Sequence, residues 1–402
     1  MIGLLAKKWI RNREDIGNPD VRAAYGYLCG NVGVLFNILL FLGKFAAGVA
    51  SGSIAVTADA FNNLSDAGTS VITMLGFKLS SRKPDTRHPF GHGRLEYVSG
   101  LIVSLLIVMM GVELVKSSIK KIITPAAAEF SVFTFVILGV SIVVKLYMYY
   151  YNHRIGKMIG SAAMNATALD SFSDAVATLA VLVSSLIGMV TGWKIDGWCG
   201  IAVAGLIVRA GVMAAKGTVD LLLGTPPDPG FVRRVQEIVL SHEGIIGIHD
   251  MIVHNYGPGR VMVSLHAEVP SDADIMEAHD TIDNIEKDIR EEMRCLAIIH
   301  MDPVDTRDEL TNETKEKVKE LVKTIDERLT IHDFRMVSGP THTNVIFDVV
   351  VPFDLKMTDD EVKARIGELV GTLGNDFAVV EVDKDVAGVE ADQEASGIAK
   401  ED

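Results

Sequence analysis

The chain has 402 residues, of which 49% are hydrophobic and 22% charged, and 38 Lys+Arg set against 52 Asp+Glu give a net charge of -14. So acidic a total argues against nucleic acid as the partner, because phosphate binding needs a basic face. The charge is unevenly spread: residues 1–225 hold 20 Lys+Arg and 13 Asp+Glu, a net of +7, which leaves -21 on residues 226–402.

The basic half is apolar. Residues 1–22 mix Lys7, Lys8, Arg11 and Arg13 with acids and lack the small-residue cleavage site of a signal peptide. Apolar stretches follow at Val32–Ala50, Leu101–Val115, Phe130–Tyr151, Val176–Val190 and Gly197–Leu223, read against the roughly 20 mostly apolar residues that a span requires. A sixth segment, Ile54–Leu79, is less apolar but has helical length and no proline before Pro84. It reads as a span whose polar residues face other helices. Residues 23–225 are therefore expected to form an α-helical bundle of six transmembrane helices, in contact with membrane lipid. Lys and Arg gather at the N-terminus, between spans two and three (Arg82, Lys83, Arg87, Arg94) and between four and five (Arg154, Lys157). By the positive-inside rule that face is cytosolic, so both termini are expected in the cytosol of a multi-pass cell-membrane protein. Cys29, Cys199 and Cys295 are isolated and suggest no disulfide framework.

The acidic half repeats itself. Phe231–Leu240 reads as a helix, Ile248–Pro270 as two strands around a Gly-Pro-Gly turn, Ile275–Met293 as a helix and Cys295–Asp305 as a strand. The order recurs with a helix at Thr314–Leu329, strand–turn–strand at Ile331–Pro352, a helix at Asp359–Leu373 and a strand at Phe377–Val382. Both units carry Ile-His-Asp, at Ile248–Asp250 and Ile331–Asp333, and both second strands end in Val-Pro. Two cytosolic α+β units of ferredoxin-like, βαβ type are expected over 226–306 and 307–385, followed by a disordered acidic tail at 386–402.

Chemistry enters through buried acids. Asn62 and Asp66 are four residues apart in the second span, as are Asp170 and Asp174 in the fifth, a spacing that stacks each pair on one helix face. A charge at the bilayer centre costs about 2.5–3.5 kcal/mol on insertion scales, so three carboxylates need an offset, which a divalent cation would supply. A structural ion pair would need basic residues at the same depth. The candidates, Lys44 and Lys145, read as lying toward the cytosolic or helix-end region rather than beside the acids. No HExxH or nucleophile motif supports the alternative of a membrane-embedded metallohydrolase.

Three segments, NNLSDAG (Asn62–Gly68), HPFGHGRLE (His88–Glu96) and ALDSFSDAV (Ala168–Val176), resemble the signatures of the cation diffusion facilitators. The resemblance covers roughly residues 20–306 and implies a homodimeric exporter, not an enzyme, that exchanges divalent metal for protons. It implies a transport site of Asn62, Asp66, Asp170 and Asp174. Zinc-exporting members typically supply a His where this chain has Asp170, and often a carboxylate where it has Asn62. An all-oxygen donor set suits Mn²⁺ best, with Fe²⁺ or Zn²⁺ as the alternative cargo. Protons are the expected counter-ion, since close carboxylates can hold them when metal leaves. No organic cofactor is expected.

Two further clusters follow. Asp85, His88 and His92 lie between spans two and three, where Pro89, Gly91 and Gly93 call for a tight loop; the resemblance implies a possible metal site there. His249, His266, His279, His300 and Asp302 fall within the first α+β unit, with His300 and Asp302 alternating onto one face of a strand. The resemblance implies metal binding by all five. At the equivalent places the second unit keeps His332 but has Asp348, Glu381 and Asp383, and reads first as a degenerate copy that extends the dimer interface, with a weaker hard-metal site as the alternative.

Overall fold

The computed structural model describes residues 2–51, 54–124, 132–191, 195–339, 342–374 and 376–384; the expected acidic tail at 386–402 lies outside them. Two compact units are present, Met1–Thr225 with Asn255–Arg260, and Pro226–His254 with Val261 onward.

The first unit is helical. A short α1 (Ile2–Trp9) precedes six long helices: α2 (Pro19–Ser51), α3 (Ile54–Ser80), α4 (Leu95–Ile123), α5 (Val132–Met158), α6 (Ala162–Thr191) and α7 (Asp196–Leu223). Among the described residues, all of these but α3 contain a stretch long and apolar enough to cross a membrane, and the protein is a multi-pass membrane protein. α3 differs because its inward face is polar: Asn63, Asp66, Thr69, Ser70 and Thr73 are all buried. Deep in the bundle, the Thr73 and Thr167 hydroxyls share a hydrogen bond of 2.6 Å between α3 and α6, which satisfies two polar groups that lipid could not. Near the helix ends, buried Glu96 on α4 receives Arg22 of α2, with Nη2 3.3 Å from Oε1.

The helices pack as α2 on α3, α4 on α7 and α5 on α6. Small residues set these approaches. A Cβ on Gly111 of α4 would sit 2.7 Å from Val208 Cγ2 of α7, and one on Gly211 of α7 would sit 2.8 Å from Val108 Cγ2 of α4. The two helices thus exchange the same glycine-to-valine contact in both directions.

The second unit holds the two repeats. The first runs α8 (Pro229–Leu240), β1 (Gly247–Asn255), β2 (Val261–Pro270), α9 (Ile275–Met293), β3 (Leu296–Val304). The second runs α10 (Glu309–Lys323), β4 (Thr330–Ser338), β5 (Thr343–Val350), α11 (Asp359–Val370), β6 (Asp376–Asp383). Each makes a three-stranded sheet, β1-β2-β3 and β4-β5-β6, whose last two strands are parallel. Asp228 and Asp274 cap α8 and α9 by accepting from backbone N–H groups of their first turns. α10 begins five residues before the expected Thr314 because Asp308 accepts from Leu310 N and opens the helix there. Each repeat has its own apolar core, centred on Val235, Leu265 and Ile285 in one and on Val318, Phe347 and Ile366 in the other.

Replacing Gly211 with Leu should force α4 and α7 apart, since a Cβ alone already meets the Val108 backbone N at 3.1 Å. We expect a loss of about 1–3 kcal/mol, read as a lower thermal midpoint in detergent, whereas Gly205→Leu, whose Cβ meets nothing within 4 Å, should leave the midpoint within a degree or two.

Candidate metal centres

The first cluster is built by three helices. α3 contributes Asp66, while Asp170 and Asp174 stand one turn apart on α6, and one oxygen of each carboxylate lies within 4.8 Å of the others. Asp66 and Asp170 are buried. Asn62 stands one turn before Asp66 on α3, with its side chain exposed.

α5 adds a fourth member that corrects the expectation from sequence. Lys145, 3% exposed, donates from Nζ to Asp66 Oδ2 and Asp174 Oδ2, at 2.6 Å each. The apolar stretch ending at Tyr151 put this lysine near a helix end, but α5 continues through polar residues to Met158, so Lys145 is mid-helix and its methylene stem delivers the ammonium to the acids. A structural counter-ion is therefore present. It does not complete the balance: three carboxylates and one ammonium leave a formal charge of -2, and Asp66 Oδ1 and Asp170 Oδ1 are buried with no hydrogen-bond partner among the described residues. One divalent cation would cancel that charge and give those oxygens a ligand.

The second cluster is the loop between α3 and α4. Asp85 accepts from the backbone N–H groups of Arg87 and His88 at 2.9 and 2.8 Å, and these bonds, that of His88 first, hold its carboxyl below the usual carboxylate range. The same carboxylate faces His88 Nδ1 at 3.5 Å and His92 Nε2 at 3.4 Å. Gly91 takes a φ of +85°, the left-handed turn that lets the chain double back between the two histidines.

The third cluster lies in the second unit. In the parallel β2–β3 register His266 faces His300 and Glu268 faces Asp302. Asp302 is its hub, with Oδ2 2.8 Å from His266 Nδ1 and 3.2 Å from His249 Nε2, and Oδ1 3.1 Å from His300 Nε2. His249, His266 and Asp302 converge as one ligand group, with the more exposed His300 at its edge. His279 stands apart: it is exposed on α9 beside Asp283, at 3.7 Å. Burial works against a charged His249, but the Glu268 carboxylate 3.5 Å away, followed by Asp333 and Asp250, outweighs it and raises the imidazole above its ordinary value.

The comparisons with known proteins bear on these sites together. Residues 31–223 match the model of the cation efflux transmembrane domain, and residues 227–304 that of the cation efflux protein cytoplasmic domain. An uncharacterised transporter of Methanocaldococcus jannaschii is 32% identical over 277 residues, 68% of this chain and 96% of that protein. The chain belongs to the cation diffusion facilitator family. Other relatives are the manganese efflux system protein MneP of Bacillus subtilis, 26% identical over 68% of this chain and 94% of its own length, and the magnetosome protein MamB of a Magnetospira strain, 27% identical over 64% and 88%. As a cation diffusion facilitator, the protein is a metal efflux transporter and not an enzyme, and its matched cytoplasmic domain is one that indicates dimerisation. Neither family model reaches past residue 304.

Three participants escaped the sequence reading. Lys145 was misplaced by the apolarity of its surroundings. Asp250 and Asp333 are visible as the last letters of the repeated Ile-His-Asp, and both take a positive φ, 50° and 52°.

Two outcomes are expected. Lys145→Met leaves buried carboxylates without their cation, which should cost about 3–5 kcal/mol; thermal unfolding in detergent should show this loss without divalent metal and its partial recovery on adding Mn²⁺. Asp348 in β5 is pushed up to about 6 by burial and by the neighbouring Asp383, Asp333 and Glu381 carboxylates. A raised carboxyl contributes stability that is complete below its ordinary value near 4 and is lost as pH climbs through about 6. The chelated protein should thus unfold at lower temperature at pH 7 than at pH 5, with a shallower slope in Asp348→Asn.

Proposed function

We propose that this chain is a Mn²⁺/H⁺ antiporter that works as a homodimer and moves metal out of the cytosol through six membrane spans, with both termini and both ferredoxin-like units on the cytosolic side. The observation that carries the reading is the convergence of Asp66, Asp170 and Asp174 inside the helical unit. In the proposed transport site these three and Asn62 are the ligands. Every donor is an oxygen, and oxygen sets suit hard cations such as Mn²⁺ better than Zn²⁺. The manganese efflux relative supports the same cargo.

In this mechanism the chain's residues do no covalent chemistry. The carboxylates hold either metal or protons, and two arrangements of the bundle open the site to one side at a time. Lys145 keeps the emptied site from carrying its full negative charge, so the helices can stay packed between loads. Asp85, His88 and His92, and likewise His249, His266 and Asp302, are proposed to bind metal outside the bundle. The imidazole-containing donor set of the latter also suits Zn²⁺.

Purified protein in vesicles with an imposed pH gradient tests the reading. Mn²⁺ should cross in exchange for protons, and Asp66→Ala or Asp174→Ala should lower the flux at least a hundredfold while the protein still inserts. Full Mn²⁺ flux in either variant would remove the proposed site, and passage of Zn²⁺ without Mn²⁺ would overturn the argument from oxygen donors.

A further inference from the structure

The two repeats meet through their equivalent histidines. The rings of His249 and His332 stack, with centroids 4.7 Å apart and planes 28° from parallel. Around them the Ile-His-Asp motifs trade acids: Asp333 Oδ1 of the second repeat is 3.7 Å from His249 Nε2, and Asp250 Oδ1 of the first is 3.6 Å from His332 Nε2. The exchange is an approximate two-fold relation inside one chain. Asp250 and Asp333 also share a left-handed backbone, with φ of 50° and 52°, a conformation that Asp adopts more readily than most non-glycine residues.

On the second repeat's side of this seam lies a set of donors that transport does not use. His332, Asp348 and Asp383 each offer a ligand atom within 4.8 Å of the other two. The β5–β6 register pairs Asp348 with Glu381 and Val350 with Asp383, the counterparts of His266 with His300 and Glu268 with Asp302 on β2 and β3. A third group, His249, Asp250 and His332, joins the two sides. We propose that the second repeat holds its own divalent cation, bound by His332, Asp348 and Asp383 with Asp250 crossing from the first repeat, so that the seam is a two-ion centre.

Three observations carry this assignment beyond a cluster of acids. His332 is 5% exposed and sits centrally among the carboxylates. Asp250 and Asp383 each stand 3.6 Å from its Nε2, too far for a hydrogen bond but near the separation of two atoms that ligate one ion at about 2.2 Å, roughly 3.1–3.6 Å for octahedral to tetrahedral angles. Across the seam, His249 is 2% exposed and offers a ligand atom within 4.8 Å of Asp250 and His332, so the second set of donors abuts the first. The donor sets differ in kind. The first repeat offers two imidazoles and a carboxylate, the second one imidazole and up to three carboxylates, which selects a hard cation of the Mn²⁺ class.

The site is independent of the transport reading, and its test separates the two. Equilibrium dialysis of the full-length protein in detergent against Mn²⁺ should give one fewer bound equivalent in the double variant Asp348→Asn, Asp383→Asn than in the unsubstituted protein. An unchanged stoichiometry in a folded double variant overturns the proposal. Should that variant fail to fold, anomalous scattering at the manganese edge from crystals of the unsubstituted protein decides: a peak among Asp250, His332, Asp348 and Asp383 supports the site, and its absence there overturns it. Failure of the antiporter reading would appear as absent flux with the lost equivalent intact.

Discussion

Carboxylates buried in a helical bundle are the constraint around which the membrane unit is arranged. Each would be costly alone in a medium of low dielectric, and Asp66, Asp170 and Asp174 are held by helices that bring their oxygens together. The polarity of the buried face of α3, the Thr73–Thr167 hydrogen bond and the placement of Lys145 are answers to that one problem. A bundle that paired every charge would be stable and inert. Here the pairing stops two charges short, and the shortfall matches the valence of the family's cargo.

The second unit solves a different problem with similar means. Its two repeats have complete and separate apolar cores, so neither needs the other to bury hydrophobic surface. Among the described residues they meet at polar groups, the stacked imidazoles and exchanged acids of the Ile-His-Asp motifs. Polar contacts of this kind specify register more than they add stability.

Much of this was legible in advance because it is periodic. Helical length, the i, i+4 acids and the alternation of β2 and β3 are repeat signals that survive without tertiary information. The helix expected at Ile275–Met293 has those bounds, and Asp274 caps its start. The losses share a cause. Apolar windows end where charge begins, so the apolar stretches fall short of the helices α2, α4, α5 and α6, and with α5 cut at Tyr151 Lys145 reads as near a helix end. α10 was begun late because its cap, Asp308, lies in a charged run without apolar period. His279, expected with the first unit's cluster, is exposed on α9 beside Asp283. The crossing of Asp250 and Asp333 is a tertiary contact between the repeats, which no side-chain pattern encodes.

The tandem arrangement has a consequence for how the seam assembles. Where two such domains come from separate chains, their meeting is bimolecular and weakens on dilution. Here β3 ends at Val304 and α10 begins at Glu309, so the partner is tethered by a handful of residues. A short link sets an effective concentration of about the millimolar range. The stacked histidines therefore face each other at a level that expression, membrane density and detergent dilution leave unchanged.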